Sequence, residues 1–416
     1  MIRAGAAIVD ITPTPGLPMS GFAARTLPAE GVHDGLTVRA VVIGETAIVV
    51  ADVIGIDAAM SARIRKRCAL PAENIVVAAL HTHGGPVSMA GRLSVAADLT
   101  YLERLEDACV AVIDKAASLR RPARITVGQG SDPGVARNRR HPGGPVDTCL
   151  PVLRICGEDG AMIAVVTAYA CHPVVLGADN RHWTADYPHF VRRALEEAYP
   201  GGVALFMTGC VGDANTGHSA HASITLSASQ DRTFDTAGQV GRRIAEAALH
   251  AEEQPVSDRA SARNGTVALG FERRETETAA ALEQRWRTEA LTAEPAQRAL
   301  LGYWADWAKT IAPVVPEPIA ARVTVLDWGG VPVVALPGEI FAETALSIRA
   351  ALGRDRPAFV IGFADDNPGY IPPASEFRFG GYEVDEAHRY YGLPMSFAPG
   401  SAEALAGCAI GLAIDN

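Results

Sequence analysis

Residues 74–88, NIVVAALHTHGGPVS, join an apolar run to two histidines and a Gly-Gly-Pro segment. The run from Ile75 to Leu80 contains no polar residue, which is typical of a short strand that is buried on both faces. The Gly-Gly-Pro segment cannot continue such a strand. His81 and His83 are therefore predicted to lie where a strand opens into a loop.

Similar apolar runs recur along the chain and alternate with stretches that have helical spacing. These stretches are residues 57–69, 99–118, 187–199, 234–251 and 339–352. The alternation predicts an α/β protein. Adjacent apolar runs such as RVTVLDWGGVPVVAL (322–336), with a Gly-Gly turn, predict antiparallel hairpins, so we expect a mixed β-sheet core flanked by helices.

Two segments depart from this alternation. Residues 274–312 are rich in Ala, Glu, Arg and Trp and carry no strand pattern, which predicts a helical hairpin inserted between strands. Residues 216–232 are rich in Ser, Thr, Ala and His and predict a long loop. The composition does not say what either segment does.

Composition limits the partners and the compartment. The 416 residues are 48% hydrophobic, and the net charge of -10 with scattered Lys and Arg gives no reason to expect a nucleic-acid or anionic-membrane partner. No apolar stretch reaches the roughly 20 residues that span a bilayer, and the N-terminus lacks the apolar region of a signal peptide. Seven widely spaced cysteines favour reduced thiols. A cytoplasmic protein is expected, while the oligomeric state stays open.

Three further apolar runs end in groups that bind metals. AMIAVVTAYA leads to His172, VPVVALPG to Glu339 and FVIGFADDNPG to Tyr370. Sites in α/β proteins collect at strand ends, so these side chains and His81 are expected to lie close together. Two imidazoles and a carboxylate, with a phenol as a further ligand, suit Zn²⁺, which in catalytic sites keeps one position open for water. A hydrolytic metal site is predicted.

Each of these side chains also has a purely structural interpretation. A His-x-His pair can simply close a strand, and a histidine before proline can be structural. Glu339 can cap the helix that follows it, since carboxylates are favoured in a first turn. Tyr370 can be a half-buried surface ring.

Taken together, the motifs resemble the neutral/alkaline non-lysosomal ceramidase family, the zinc-dependent amidases that cleave the N-acyl bond of ceramide. HTHGGP (81–86) resembles the family's His-Thr-His-Ser-Gly-Pro motif, and ARNRR (136–140) resembles its Asn-Arg-Ser segment. The other similar segments are AYACHPVVLG (168–177), MTGCVGDANT (207–216), ALPGEIF (335–341) and NPGYIPPASEFRFGGYE (367–383). The resemblance runs in the same order over roughly residues 4–395.

The resemblance implies that a single ceramidase-like zinc hydrolase domain spans residues 1–416 and carries the helical insert. The implied Zn²⁺ ligands are His81, His172, Glu339 and Tyr370. Zinc lowers the pKa of its bound water to about 7, so that hydroxide can attack an amide carbon.

The implied catalytic residues are His83, Arg139, Tyr370 and Tyr382. His83 falls at the family's second histidine, and its spacing places it on the same side of an extended segment as His81. There it would act as general acid and base and pass a proton to the departing nitrogen. Arg139 and Tyr382 match residues that contact the scissile amide or its oxyanion, where negative charge develops.

Three features depart from the family. Asn215 stands where the family's loop has a serine, so water rather than a serine is the expected nucleophile; Asp213, in the same loop, either forms a turn or takes part in catalysis. The chain stops about 34 residues after Tyr382, where ceramidases continue into an immunoglobulin-like domain, and it shows no export signal. The expected substrate is therefore a small soluble N-acyl or peptide-like amide rather than ceramide.

Two other functions stay open. The same zinc site could run in the opposite direction as an amide-forming acyltransferase, because a site that stabilises the tetrahedral intermediate does so from either side. The chain could also be a non-catalytic scaffold that binds a ligand.

Overall fold

The computed structural model describes residues 1–93, 96–219, 229–311, 316–353 and 357–414. Its strands are β1 (Arg3–Asp10), β2 (Gly31–Val32), β3 (Thr37–Ile43), β4 (Thr46–Ala51), β5 (Ile75–Ala79), β6 (Arg121–Gly130), β7 (Arg137–Asn138), β8 (Leu150–Gly157), β9 (Met162–Tyr169), β10 (His182–Trp183), β11 (Val203–Thr208), β12 (Ala214–Asn215), β13 (Glu252–Pro255), β14 (Ala260–Leu269), β15 (Phe271–Glu272), β16 (Ile319–Trp328), β17 (Val331–Ala335), β18 (Glu339–Ile340), β19 (Phe359–Ile361), β20 (Tyr370–Ile371) and β21 (Ser396–Phe397).

The helices agree closely with the predicted stretches, except that the last helix was not predicted. They are α1 (Ala58–Arg67), α2 (Leu99–Ser118), α3 (Tyr187–Ala198), α4 (Phe234–Leu249), α5 (Ala279–Ala290), α6 (Pro295–Thr310), α7 (Ala342–Leu352) and α8 (Ser401–Ile414). Asp57 and Asp98 cap α1 and α2, since each carboxylate accepts a hydrogen bond from a first-turn N–H at 2.8 Å. Among the predicted helices, only the start of α7 differs, because residues 339 and 340 form a strand instead.

The larger sheet is mixed, as the sequence predicts. Its strands follow the order β11-β9-β8-β6-β1-β3-β4-β5, and β13 also pairs with β6. The pairs β1/β3 and β3/β4 are antiparallel, whereas β4/β5 and β9/β11 are parallel. The predicted hairpin at 322–336 is antiparallel too, with Gly329 and Gly330 at positive φ in its turn.

Alternate side chains of β3 face two different layers. Val38, Ala40 and Val42 pack in a core with residues of α1 and α2. Val41 and Ile43 pack instead in a core shared with a second sheet, β14-β16-β17-β19. Both faces of β3 are therefore covered, which explains why residues 40–43 are all apolar.

The second sheet is also covered on both faces. Leu326 and Trp328 of β16 face the shared core, while Val323 and Val325 face a core made with α7 and α8. The two sheets meet edge to edge through isolated bridges, Ala78 to Ala364 and Gly209 to Ile361. The ends of β5 and β11 therefore lie beside the second sheet, and β9 is the parallel neighbour of β11.

The predicted helical insert at 274–312 is confirmed as the hairpin of α5 and α6. Leu282 and Trp286 of α5 pack against Leu301, Ala305 and Trp307 of α6. The predicted loop at 216–232 falls partly outside the described residues, which omit 220–228.

Two further expectations bear on the compartment. All seven cysteines are free thiols, as predicted. Across the described parts of the chain, no helix combines the length and apolarity needed to cross a bilayer.

Candidate active site

His81 lies two residues after β5, in a left-handed conformation with φ of 65°. Its N–H donates to the carbonyl of Val53 at 2.9 Å, and its ring stacks on Phe363 at a centroid distance of 3.9 Å. The expectation that His81 and His83 share one side of an extended segment is therefore wrong, because a left-handed residue turns the chain and ends the alternation. The turn still leaves the two rings 5.1 Å apart.

His172 follows β9 and faces His81 across the junction of the sheets, with the ring centroids 4.6 Å apart. Nδ1 of His81 lies 2.6 Å from the carbonyl oxygen of Ile54, and Nδ1 of His172 lies 3.2 Å from the carbonyl oxygen of Val211. A ring that donates from Nδ1 keeps an unprotonated Nε2, which is the metal-binding form.

Glu339 and Tyr370 are direct neighbours, because β18 and β20 pair in parallel with these two residues in register. Oε2 of Glu339 lies 3.6 Å from Nε2 of His81 and 3.8 Å from Nε2 of His172. Its Oε1 accepts a hydrogen bond from the hydroxyl of Tyr391. Glu339 is not a helix cap, since α7 starts three residues later.

Several buried atoms at this junction have no hydrogen-bond partner among the described residues. They include Nε2 of His81, Oε2 of Glu339 and both ring nitrogens of His83. Leaving one buried polar atom unpaired costs about 1–3 kcal/mol, so a convergent group of them calls for a ligand. In a tetrahedral zinc site with bonds of about 2.0–2.1 Å, neighbouring ligand atoms are about 3.3 Å apart, close to the two distances measured from Glu339.

The three histidines also form a compact group by themselves. One ligand atom from each of His81, His83 and His172 can be chosen so that all three lie within 4.8 Å of one another. Burial lowers the pKa of His81 to about 3 and the pKa of His83 and His172 well below 6.5. Neutral imidazoles result, and these are what a metal ion binds. The donor set therefore fits a divalent cation.

The pKa of the Glu339 carboxyl group shifts in the opposite direction to the pKa values of the three imidazoles. Burial raises the pKa of Glu339 to about 7, although hydrogen bonds from Tyr391 and Tyr370 act in the opposite direction. Tyr391 was not singled out by the sequence analysis, because its contact with Glu339 joins residues 52 positions apart and leaves no local pattern.

Arg139 comes directly after β7 and joins Tyr370 to Glu383. Its Nη2 donates to the hydroxyl of Tyr370 at 2.9 Å, and its Nε donates to Glu383 at 2.9 Å. Burial lowers the pKa of Arg139, but its contacts with Tyr370 and Glu383 outweigh burial and raise the pKa, so the guanidinium stays protonated. Tyr382 completes this side of the site, with its ring 5.7 Å from that of Tyr370.

These side chains surround a small cavity of about 40 Å³. His83, Arg139, His172, Tyr370 and Tyr382 all line it. Thus the structure brings together every predicted catalytic residue and, beside them, the buried predicted ligands His81 and Glu339.

Gly21 and Phe22 also line this cavity, and sequence reasoning did not assign them to the site. A Cβ added to Gly21 would lie 2.4 Å from Nδ1 of His83, so only glycine permits this approach. Gly21 lies in the segment MSGFA (19–23), but no local pattern in this segment indicates that it contacts His83, which is 62 residues away.

Asp213 and Asn215 have structural contacts. Asp213 accepts hydrogen bonds from Ala342 N at 2.8 Å and from Asn138 Nδ2 at 2.8 Å, so it ties the start of α7 to the segment that carries Arg139. Asn215 uses both ends of its amide on the turn at 217–218. Asn215 therefore forms a turn, whereas the contacts of Asp213 join segments that are distant in the sequence.

Comparisons with known proteins place the chain among characterised folds. Residues 2–220 match the family model described as "Neutral/alkaline non-lysosomal ceramidase, N-terminal". A solved structure titled "Ceramidase complexed with C2" superposes with a TM-score of 0.75 at 17% identity, covering 99% of this chain and 75% of that one. The crystal structure of a neutral ceramidase from Pseudomonas aeruginosa gives 0.76 at 19% identity, covering 99% and 74%. No curated protein matches. At these identities the superpositions show the fold.

Proposed function

Because the chain belongs to the neutral/alkaline non-lysosomal ceramidase family, we propose that it is a zinc-dependent hydrolase of a linear amide, with a soluble N-acyl or peptide-like substrate rather than ceramide. The observation that carries this proposal is the convergence of three buried ligand atoms from distant segments. These atoms are Nε2 of His81, Nε2 of His172 and Oε2 of Glu339.

Zn²⁺ is the cation that this donor set suits best. His81, His172, Glu339 and Tyr370 would hold it, and Arg139 would orient the phenol of Tyr370 through their 2.9 Å hydrogen bond. A bound Zn²⁺ would supply Lewis acidity, which polarises an amide carbonyl and lets water act as a nucleophile near neutral pH.

The remaining steps belong to the protein's own side chains. His83 lines the cavity, and neither of its ring nitrogens has a partner in the part of the chain that the structure describes. It would therefore take a proton from the attacking water and return it to the departing amine nitrogen. Arg139 and Tyr382 line the same cavity as donors and would stabilise the charge that develops on the carbonyl oxygen. The amide of Asn215 is engaged in a turn, which agrees with water as the nucleophile.

The test is a panel of N-acyl amino acids, short peptides, lactams and ceramide, incubated with the zinc-loaded protein. We expect hydrolysis of an N-acyl compound, and a loss of kcat/KM of at least about 100-fold in Glu339→Gln, in line with removal of one essential electrostatic group. Glu343→Gln is the matched control, because Glu343 is an exposed residue of the adjacent helix α7.

Other outcomes would contradict the proposal in distinct ways. Full activity in Glu339→Gln would remove this carboxylate from the reaction. Amide synthesis from an acyl donor and an amine, without hydrolysis, would favour the acyltransferase. Tight binding of a ligand with no turnover would favour the scaffold.

A further inference from the structure

A second cavity of about 250 Å³ adjoins the small one. Both are lined by Gly21, Phe22 and Tyr382, so they meet beside the reactive groups. Leu93, the α6 residues Leu300 and Tyr303, and also Arg25 line the larger cavity; its lining is mostly apolar, and we call it the apolar lobe. The small cavity continues from His83 to His218 and Arg232, and we call this end the basic lobe.

Arg232 is held in place by the loop that follows His172. Its Nε donates to the carbonyl of Val175 at 3.2 Å, and its Nη2 donates to the carbonyls of Val174 at 3.0 Å and Leu176 at 2.9 Å. These bonds fix the guanidinium without neutralising it. Within the described residues, its side-chain hydrogen bonds all go to backbone carbonyls, and none comes from Nη1.

A second guanidinium that forms no ion pair within the described residues, that of Arg25, lies near the first, at Phe22. The Cζ atoms of Arg25 and Arg232 lie 5.0 and 5.6 Å from the centroid of the Phe22 ring. Arg25 is only 7% exposed, and it donates to the carbonyls of Ser20, of His83 at 2.5 Å and of Asn180 at 3.1 Å. Its buried Nε has no partner among the described residues.

This arrangement leaves positive charge beside the reactive groups. Buried charges in proteins are normally paired, because an isolated charge away from water is costly. Two carboxylates act on these guanidiniums without forming an ion pair with them among the described residues. Asp179, which is exposed, acts on both Arg25 and Arg232, whereas Asp186, which is engaged by backbone N–H groups, acts on Arg232. An anion from outside the protein would balance the charge.

We propose that the substrate is an N-acyl amino acid, with its carboxylate bound by Arg232 in the basic lobe and its apolar acyl chain in the apolar lobe. This inference rests on the proposed amidase function and names the substrate class for that site. A guanidinium offers parallel N–H groups that match a carboxylate, whereas the neutral amino-alcohol part of a ceramide has no charge for it to recognise.

The test compares N-hexanoylglycine with its neutral carboxamide, N-hexanoylglycinamide, as substrates of the zinc-loaded enzyme. We expect kcat/KM for release of the hexanoyl group to be about 10- to 100-fold higher for the carboxylate, the usual effect of a charge-assisted hydrogen bond. Arg232→Gln should bring this ratio to about 1. Arg232→Lys should retain part of the preference, which a purely structural role of Arg232 would not produce.

Arg243→Gln is the matched control, because Arg243 also donates to a backbone carbonyl, that of Pro133 at 2.6 Å, but lines neither lobe. Equal kcat/KM for the two substrates in the wild type would overturn the inference while leaving the amidase function standing.

If the enzyme cleaves neither compound, the binding of N-hexanoylglycine measured by calorimetry tests the inference instead. Binding that is lost in Arg232→Gln and kept in Arg243→Gln would support the carboxylate site even if the proposed function failed. Absence of binding to the wild type, or equal binding to wild type and Arg232→Gln, would overturn it.

Discussion

His83 differs from its two neighbouring histidines in its hydrogen bonding. His81 and His172 each direct Nδ1 at a backbone carbonyl, whereas neither nitrogen of His83 has a partner among the described residues. A side chain that is free at both nitrogens can accept a proton at one step and donate it at the next.

We therefore predict that His83→Ala keeps its bound metal and loses turnover. The expected fall in kcat is about 10²- to 10⁴-fold, the usual contribution of a general acid-base group. Metal analysis and steady-state kinetics on the same preparation check both parts. His250→Ala, which changes an exposed histidine at the end of α4, is the control. Loss of the metal in His83→Ala would instead make His83 a ligand, as the compact group of three histidines also allows.

Local sequence patterns predicted which residues end strands, but they could not predict how these ends pack. The position of His172 after β9 follows from an apolar run that is easily recognised, whereas Tyr370 does not end β19 as predicted but lies in β20, nine residues further along the chain. The left-handed turn at His81 was not predictable, because it is held by a carbonyl of another strand's loop. Likewise, Glu339 joins a strand rather than α7, because Tyr370 is available as its parallel partner.

At the scale of elements, the insert of α5 and α6 is fastened to the segment that follows Tyr382. The guanidinium of Arg389 lies 5.0, 4.7 and 5.4 Å from the ring centroids of Trp286, Trp304 and Trp307. Glu275 contacts both Arg389 at 3.3 Å and His388 at 3.2 Å. The composition of 274–312 predicted the helices, but their docking on an arginine more than 75 residues downstream could not be predicted from it.

This docking predicts a specific pH dependence of stability. Burial raises the pKa of Glu275, but the hydrogen bond and charge of His388 and the charge of Arg389 outweigh burial and lower the pKa from 4.5 to about 2. A carboxylate with a depressed pKa stabilises the fold above its unfolded-state pKa and loses that effect as the pH falls. The free energy of unfolding of the wild type should therefore fall as the pH drops from about 4.5 to about 2. The free energy of unfolding of Glu275→Gln should not show this part of the fall.

Urea unfolding followed by tryptophan fluorescence at several pH values measures this difference. Glu277→Gln is the control, since Glu277 lies nearby but is substantially exposed, with 43% of its side chain accessible. Parallel stability profiles for the wild type and Glu275→Gln over this pH range would contradict the assignment.

At the scale of the whole molecule, the candidate metal centre is built where two sheets meet. His81 and His172 follow strands of the larger sheet, while Glu339 and Tyr370 lie in a two-stranded pair that follows the second sheet's β17 and β19. No one of these segments can form the centre alone. The mixed α/β class was predictable from alternating runs and turns, whereas the meeting of the sheets depends on long-range bridges that no local pattern encodes.

The central claim is that His81, His172 and Glu339 share one divalent ion, and it is tested most directly by zinc stoichiometry with thermal unfolding. Wild-type protein stripped of metal and returned to Zn²⁺ should bind about one ion per chain and gain in Tm, because a ligand that binds only the folded state stabilises it. His172→Ala and Glu339→Gln should show neither effect, and Glu343→Gln should behave like the wild type. A wild type that binds no zinc, or a Glu339→Gln variant that binds it as tightly, would contradict the account.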